Sequence, residues 1–238
     1  MLLNKKIKKN IVIYTAVFGA KDNLIDPKCV PKNVDFICFT DQDFKSDVWQ
    51  IKKVKPIFDD SVRSARIYKV LPHKFLSEYE YCVWVDGNIQ VKRDVNSLIK
   101  RYLKDCNFAS YDHTKTKDSR DCIYDEANIL IDAARNKKTY KDSPELIKKQ
   151  MAKYKALHYP EHNGLISSMI VIRRHNEKDV IKTMECWWKE IENNSRRDQL
   201  SFNFAAWKNN FKFSYLRGDS RNNFFFKHFN HKRRENYR

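Results

Sequence analysis

The sequence has little glycine and proline and no long hydrophobic run. Only 4 glycines and 6 prolines occur among 238 residues, which argues against a disordered linker or a collagen-like segment. No window approaches the roughly 18 to 20 consecutive apolar residues of a membrane-spanning helix. The apolar residues 11–18 lack a small-residue cleavage site behind them and fit a strand better than a signal peptide. We therefore expect a globular chain without a membrane span or a leader.

Paired cysteines are also missing. The six cysteines are scattered without any CxxC spacing, and Cys38 and Cys82 lie inside apolar runs, where cysteine behaves as a small hydrophobic residue. We interpret all six as reduced thiols, which predicts a cytoplasmic protein without a zinc site.

Acidic residues are fewer than basic ones. The chain carries 47 Lys and Arg against 30 Asp and Glu, for a net charge of +17. Such a charge suits nucleic acid, an acidic membrane face or phosphorylated small molecules, and it does not choose among them. A lysine-rich solvated surface gives the same excess. The 42% hydrophobic content and the 15 Phe, 12 Tyr and 5 Trp provide for one sizeable core.

Short apolar runs alternate with helical periodicity in the first third of the chain. Residues 10–18, 35–40, 49–54 and 81–85 are strand candidates, and 61–71 has the periodicity of a helix. This alternation predicts an α/β fold with a mostly parallel central sheet flanked by helices. Further strands or helices are predicted at 89–91, 95–103, 108–111, 122–135, 144 onward, 164–173, 177–192, 198–208 and 212–216.

Two segments differ from this pattern. Residues 137–160 are charged with little apolar content, which favours a surface position or a lid-like insertion. Residues 217–238 mix basic and aromatic side chains, which suits a peripheral membrane contact or closure over a diphosphate, with a disordered terminus as the alternative. We expect one domain over 1–238, with a nucleotide-sugar half at about 10–110, an acceptor half at about 111–216 and this tail.

The most informative motif is the turn that follows the apolar run 81–85. Asp86, Gly87 and Asn88 interrupt two apolar stretches, so a buried strand delivers a carboxylate and an amide oxygen to the carboxyl edge of the sheet. Ligands bind at this edge in open α/β sheets. An unpaired carboxylate between such apolar flanks is costly to bury. Hard oxygen donors suit a divalent cation that also contacts substrate phosphates.

Three other groups end at the same edge. The loop that begins at Thr15 and reaches Gly19 offers backbone amides and a hydroxyl to a base and ribose, and Asp41 ends the next strand. Arg63, Arg66 and Lys69 form a basic ridge on one helix that suits a diphosphate. Ordinary turn chemistry explains Asp41 equally well, and a solvated face paired with acidic neighbours explains the ridge.

Several motifs in order resemble one known family. It is the glycosyltransferase-like family, long known as a domain of unknown function, that includes plant galacturonosyltransferase-like enzymes of pectin and seed-mucilage synthesis. The resemblance covers residues 10–208 and implies a GT-A (Rossmann-like) fold. The motifs that carry it are 13–19 (IYTAVFG), 37–41 (ICFTD), 63–73 (RSARIYKVLPH), 84–89 (WVDGNI), 122–127 (CIYDEA) and 196–202 (RRDQLSF).

The resemblance also implies site residues. Asp86 and Asn88 take the place of the Asp-x-Asp metal motif, with a neutral oxygen where the family's second carboxylate stands. A histidine near the C-terminus would complete the metal site, and His228 and His231 are the candidates. The implied nucleotide-sugar contacts are Thr15, Ala16, Gly19, Asp41, Arg63, Arg66, Lys69 and Asp86.

The expected chemistry is transfer of a sugar from a nucleotide-diphospho-sugar. The carboxylate expected to face the sugar is Asp198. In an inverting enzyme it would act as the base, and in a retaining enzyme either Asp198 or Gln199 would stabilise the donor. An N-cap role suits Asp198 as well. The candidates for holding the acceptor are His113, Arg120 and Glu126.

The predicted function is thus that of a hexosyl- or uronosyltransferase with Mn²⁺ or Mg²⁺. The donor is a UDP-sugar, and the acceptor is a glycan or lipid-linked glycan in cell-surface polysaccharide synthesis. The expected location is the cytoplasm or the inner membrane face. The alternatives are a basic nucleic-acid-binding protein, which lacks any recognisable motif here, and a non-catalytic sugar-binding module on the same fold.

Overall fold

The computed structural model describes residues 10–136 and 141–231. Its strands are β1 (Ile11–Val17), β2 (Val34–Thr40), β3 (Gln50–Lys53), β4 (Tyr81–Val85), β5 (Ile89–Val91), β6 (Phe108–Asp112), β7 (Ile166–Arg173), β8 (Ser214–Leu216) and β9 (Phe226–His228). Its α-helices are α1 (Ser61–Val70), α2 (Asn96–Tyr102), α3 (Ile123–Arg135), α4 (Pro144–Ala156), α5 (Lys178–Asn193) and α6 (Gln199–Lys208).

Seven strands form one sheet in the order β3-β2-β1-β4-β7-β6-β8. β1 pairs in parallel with β2 and β4, and β2 pairs in parallel with β3. β7 runs antiparallel between β4 and β6. The predicted α/β class with a mostly parallel central sheet is confirmed. The carboxyl ends of β1, β2 and β4 therefore meet at one edge, where parallel sheets place their ligands.

Local sequence sets the start of the helices that bound this edge. Asp60 precedes α1, and its carboxylate accepts the backbone N–H of Val62 at 2.8 Å. Ser143 precedes α4 in the same way and accepts the N–H of Leu146 at 3.3 Å. Both are N-cap interactions, which satisfy amides that the first turn of a helix leaves unpaired.

Apolar side chains fill both faces of the sheet. One face packs Tyr14 and Trp84 against α1, α5 and α6, and the other packs Val83 and Ile172 against α2. The alternation of β1 residues between these two cores follows from the period of two in a strand. Such close-packed layers hold the strand ends in fixed positions.

For the described residues from 141 on, the predicted surface position describes only the exposed side of α4, because its other side is packed. α4 buries Ile147, Met151 and Tyr154 in a third core with α3 and α6. Tyr154 stacks on Phe204 with ring centroids 3.8 Å apart. The three apolar residues follow a helical spacing of four and three, which the intervening lysines obscure in the sequence.

The segment after β8 is ordered against the sheet edge. β9 pairs antiparallel with β5, so that Ile89 faces His228. For residues 217–231 the alternative of a disordered terminus is therefore wrong, while 232–238 lie outside the described residues. In the described part of the chain, no helix is long and apolar enough to cross a lipid bilayer.

Candidate active site

A cavity of about 560 Å³ opens at the carboxyl ends of β1 and β4. Its walls come from the loop after β1, the first turns of α1, the turn after β4, the segment before α6 and the C-terminal segment. Its size is typical of small-molecule sites. The charged side chains that line it are Lys21, Asp22, Arg66, Asp86, Lys141, Arg196 and Arg197.

Asp86 lies on the floor of this cavity. Its Oδ1 accepts the indole N–H of Trp84 at 2.7 Å and lies 3.4 Å from Lys69 Nζ. Arg66 Nη1 is 3.7 Å from the same oxygen. Two cations and a neutral donor thus fix one carboxylate oxygen, as expected for a charge between apolar flanks.

Asp198 lies behind this floor. Its side chain is 1% exposed, and its Oδ2 contacts Lys69 Nζ at 2.6 Å and accepts the Ser168 hydroxyl at 2.8 Å. Arg66 Nη2 lies 3.3 Å from its Oδ1. Burial alone would raise the pKa of the Asp198 carboxyl, but Arg66 and Lys69 outweigh burial and hold it well below its usual range. Burial lowers the pKa of Lys69, and Asp198 and Asp86 oppose that shift.

The sequence-based role of Asp198 therefore needs correction. A buried carboxylate with both oxygens held by cations is not placed to take a proton from an acceptor. Gln199 also points elsewhere, since its Nε2 donates to the carbonyl of Ile166 at 3.1 Å and its Oε1 accepts from Arg197 at 3.1 Å. Neither side chain lines the cavity. Both support it from behind.

Asn88 connects the cavity floor to the C-terminal segment. Its side chain is buried, and Nδ2 donates to the carbonyl of Phe229 at 2.8 Å. The same nitrogen lies 3.0 Å from His228 Nε2, so that imidazole nitrogen accepts. Burial, together with the nearby His231, lowers the pKa of His228, which agrees with a neutral ring. The structure thus brings His228 to the turn, as the resemblance implied.

Asp22 is an acidic residue of the cavity that the sequence interpretation missed. It is buried, and His231 Nδ1 lies 2.8 Å from its Oδ1. Burial raises the pKa of Asp22, His231 opposes this, and the charge of Asp86 raises it further. A Cβ on Gly87 would lie 2.9 Å from Val17 Cγ2 and 3.6 Å from Asp22 Cβ, so glycine allows the two acidic segments to approach. An aspartate in the loop directly after β1 was the available signal.

Several of these side chains are of types that bind a divalent cation. Asp22, Asp86, Asn88 and His231 line one cavity, and His228 contacts Asn88. Carboxylate and amide oxygens with neutral imidazole nitrogen are ligands that Mn²⁺ accepts. The raised pKa of Asp22 reflects in part its repulsion by Asp86, which a bound cation would relieve.

Only some of the residues predicted to contact the nucleotide at the end of β1 line the cavity. Ala16 lines the cavity, whereas Thr15 is buried and lies outside the lining. Gly19 has a φ of 65° and donates its N–H to the Asp41 carboxylate at 3.2 Å. A Cβ on Gly19 would meet Ser61 Cβ at 2.9 Å. Gly19 and Asp41 thus hold the loop beside the start of α1.

The three residues of the basic ridge on α1 do not all lie at the cavity. Arg66 lines the cavity and Lys69 supports its floor, but Arg63 turns away. The Arg63 guanidinium donates to the carbonyls of Glu192 at 3.0 Å and Asn194 at 2.7 Å. The structure therefore does not bring Arg63 to the expected phosphate site. A spacing of three rotates successive residues around a helix, which separates the ends of the ridge.

Other cations, which the sequence interpretation missed, form the cavity rim. Burial lowers the pKa of Lys21 to about 8, and repulsion by Arg66 and Arg196 adds to this. Arg196 Nη1 donates to Asp60 Oδ1 at 3.1 Å. The Arg196–Arg197 doublet before α6 was the sequence signal. With Lys141, these cations surround Asp86 with positive charge.

The three acceptor candidates lie together beside the cavity. Arg120 Nε donates to Glu126 Oε2 at 2.7 Å, and Glu126 Oε1 lies 3.9 Å from Arg197 Nη2. His113 is buried nearby; burial lowers its pKa, and Glu126 opposes this. None of the three lines the cavity, so Arg197 is their connection to it.

Asp86 in the turn after β4 and Asp22 in the loop after β1 thus lie among basic side chains at the edge of a largely parallel sheet. Comparison with known proteins makes this specific. The chain belongs to the family described as TOD1/MUCI70, glycosyltransferase-like domain, whose model matches residues 3–235. The expected family is thereby confirmed.

Individual relatives are more distant. The chain is 25% identical over 257 aligned residues to the probable hexosyltransferase MUCI70 of Arabidopsis thaliana. The match covers 94% of this chain and 42% of that protein, so the chain spans under half the length of this relative.

Two solved structures are similar over most of the chain. The S. cerevisiae mannosyltransferase Ktr4p aligns with a TM-score of 0.42 at 12% identity, over 85% of this chain and 66% of that one. The Streptococcus pneumoniae glycosyltransferase GlyE aligns with a TM-score of 0.44 at 10% identity, over 88% and 45% respectively.

Proposed function

We propose that the chain transfers a sugar from a nucleotide-diphospho-sugar to a glycan acceptor. The observation that carries this proposal is the cavity itself. Asp86 lies on its floor, and Lys21, Arg66, Arg196 and Arg197 surround it. A diphosphate is the ligand that such a ring of cations around a potential cation site suits. Family membership supports the same reaction class.

The metal site of this proposal consists of Asp86, Asn88 and Asp22 with His228 or His231. When bound there, Mn²⁺ or Mg²⁺ supplies positive charge for the departing nucleoside diphosphate. Arg66 and the rim cations contribute charge to the same leaving group. Lys69 and Asp198 keep Arg66 and Asp86 in position, since Arg66 contacts both carboxylates.

A UDP-sugar is the proposed donor. Its base and ribose would lie against Ala16 and Phe18, which line the cavity beside α1. Gly19 and Asp41 shape this wall through their hydrogen bond. The transferred unit is a hexose or a uronic acid, and His113, Arg120 and Glu126 border the acceptor side through Arg197.

The proposed setting is cell-surface polysaccharide synthesis in the cytoplasm or at the inner membrane face. All six cysteines are free in the structure, which is consistent with a reducing compartment. Contact with the membrane would serve a lipid-linked acceptor.

A thermal-shift panel tests the donor and the metal together. UDP-, GDP-, CMP- and dTDP-sugars are compared with and without Mn²⁺, since a ligand that binds the folded state raises the Tm. We expect the largest shift from a UDP-sugar with Mn²⁺ and the loss of its Mn²⁺-dependent part in Asp86→Ala. Asp43→Ala is the matched control, because Asp43 is an exposed carboxylate paired with Lys53.

Three results would contradict parts of the proposal. If Asp86→Ala keeps the full Mn²⁺-dependent shift, the metal assignment is wrong. If a UDP-sugar binds but neither hydrolysis nor transfer releases UDP, the chain is a non-catalytic sugar-binding module. Salt-sensitive binding of random RNA or DNA without any donor shift would favour the nucleic-acid alternative.

A further inference from the structure

A cluster of metal-binding side chains lies outside the active-site cavity. Cys122, Asp125 and His162 each offer one ligand atom, and these atoms all lie within 4.8 Å of one another. None of the three residues lines the active-site cavity. In a tetrahedral zinc site the ligand atoms lie roughly 3.3–3.6 Å apart, given Zn–S and Zn–N distances of about 2.3 and 2.0 Å. Small side-chain rotations would therefore bring the three atoms to coordination distance from one ion.

The cluster joins two separate segments of the chain. Cys122 and Asp125 lie at the start of α3, whereas His162 lies in residues 157–165 between α4 and β7. The Tyr124 hydroxyl donates to the carbonyl of Tyr159 at 2.9 Å, and their ring centroids are 6.2 Å apart. These contacts hold the 157–165 segment against α3 independently of any ligand. The side chains are thus positioned in advance, which lowers the cost of assembling a site.

A second carboxylate orients the imidazole of His162. His162 Nδ1 lies 2.8 Å from Asp121 Oδ1. When Nδ1 carries the proton and donates it to this carboxylate, Nε2 keeps the lone pair that can bind a metal. Histidine ligands of metals commonly donate their other N–H to a carboxylate in this way. Asp121 is therefore placed to support His162 as a ligand.

The thiol of Cys122 is the least exposed of the three groups. Cys122 is 2% exposed, whereas Asp125 and His162 are exposed. Cys122 precedes the first turn of α3, and its side chain makes no capping hydrogen bond to the helix amides. Because the start of a helix favours negative charge, this position suits a metal-bound thiolate.

We propose that Cys122, Asp125 and His162 bind Zn²⁺, with the fourth coordination position open to solvent. Zinc accepts thiolate, imidazole and carboxylate ligands, whereas Mg²⁺ and Ca²⁺ prefer oxygen ligands alone. The expectation of no zinc site rested on the lack of CxxC spacing, and ligands from two segments show no such spacing. The ion fastens the 157–165 segment to α3, whose Glu126 lies 3.9 Å from Arg197 of the active-site cavity. This site is separate from the proposed Mn²⁺ site and independent of the transfer reaction.

Cobalt substitution tests the site through a signal specific to thiolate ligands. Co²⁺ is titrated into the full chain with its thiols reduced, because a bound thiolate gives Co²⁺ an intense charge-transfer band in the near ultraviolet. We expect this band to saturate at about one equivalent of Co²⁺ and to disappear when excess Zn²⁺ is added. Cys122→Ser should abolish the band.

The other variants should weaken Co²⁺ binding in a graded way. We expect a loss of about a hundredfold or more in His162→Gln and in Asp125→Asn, since each removes a ligand. Asp121→Asn should lose about tenfold, because a residue that only orients a ligand contributes less than the ligand itself.

Matched controls separate the site from nonspecific effects. His158→Gln changes another histidine of the 157–165 segment, with a φ of 58° against 53° for His162. Asp132→Asn changes an exposed carboxylate two turns further along α3, and Cys186→Ser removes a thiol that packs against the apolar core. All three should bind Co²⁺ as the wild type does. Asp86→Ala should also keep the band, since Asp86 belongs to the other site.

Thermal stability provides an independent measurement. In the Asp86→Ala background, Zn²⁺ should raise the Tm because it binds the folded state, and adding Cys122→Ser should remove this rise. The proposal is wrong if the wild type shows no charge-transfer band or if the band persists in Cys122→Ser. It is also wrong if His162→Gln and Asp125→Asn bind Co²⁺ as tightly as His158→Gln and Asp132→Asn do. A wild type that shows the band but no UDP-sugar shift would keep the zinc site and reject the donor assignment separately.

Discussion

The floor and the rim of the active-site cavity carry the same kinds of charge in different surroundings. Beneath the floor, the side chains of Lys69 and Asp198 are 0% and 1% exposed and lie 2.6 Å apart. On the rim, Arg196 pairs with Asp60 at 3.1 Å, and both side chains are 25% exposed. Buried charges interact strongly and tolerate no loss of a partner, whereas solvated charges exchange partners readily. The floor is therefore suited to positioning Asp86 and the rim to receiving a ligand.

The largest expected effect comes from removing the buried carboxylate beneath the cavity floor. Asp198→Ala leaves Lys69 buried without its nearest carboxylate, so the free energy of unfolding should fall by about 3–5 kcal/mol. Urea denaturation measures this loss. Asp198→Ala/Lys69→Met removes both charges and should recover part of it. A loss below about 1 kcal/mol for Asp198→Ala would mean that the floor is not a tightly coupled ionic network.

Removal of a rim cation should instead weaken ligand binding. In Arg196→Gln we expect about tenfold weaker UDP-sugar binding, or about 1.4 kcal/mol, with little change in the free energy of unfolding. Calorimetric titration at two salt concentrations measures this. Arg135→Gln is the control, since Arg135 is 59% exposed in its ion pair with Asp132. If Arg196→Gln lowered the free energy of unfolding as much as Asp198→Ala does, the distinction between rim and floor would be wrong.

The pH dependence of stability sharpens the comparison further. Because the pKa of Asp198 is depressed in the folded state, its stabilisation is complete above the unfolded pKa of about 4 and is lost as the pH falls. The stability gap between the wild type and Asp198→Asn should stay constant from pH 8 to 5. It should then narrow by about 1 kcal/mol at pH 3. A gap that widens on acidification would show that Asp198 is not held ionised by its neighbours.

The sequence was informative where structure is local. The run before Asp86 is apolar and then stops, so both β4 and the turn were predicted from adjacent residues. The extent of α1 followed from the helical periodicity of 61–71, and the N-cap interaction of Asp60 that fixes its start spans two residues. These features depend on the periodicity of hydrophobic residues and on turn and cap residues within one segment.

The sequence was uninformative where the site depends on distant segments. The contact between Asn88 and His228 joins residues 140 positions apart, and that between His231 and Asp22 joins residues 209 apart. No local pattern encodes such pairs. Burial of Asp198 is another example, because its environment comes from α1 and β7 as well as from its own helix. The family resemblance supplied the histidine candidates but not Asp22.

The smallest expected effect on donor binding is that of Arg63→Ala, because Arg63 lies away from the phosphate site that the spacing of the basic ridge suggested. Its guanidinium binds the carbonyls of Glu192 and Asn194 and so ties α1 to the end of α5. Arg63→Ala should lower the free energy of unfolding by about 1 kcal/mol and leave UDP-sugar affinity within twofold of the wild type. Arg66→Ala, one turn along the same helix, should weaken donor binding at least tenfold because Arg66 lines the cavity. Denaturant titration and calorimetry on the two variants measure both quantities. Equal losses of donor affinity would mean that Arg63 reorients toward the phosphates when the donor binds, and the ridge would then act as one unit.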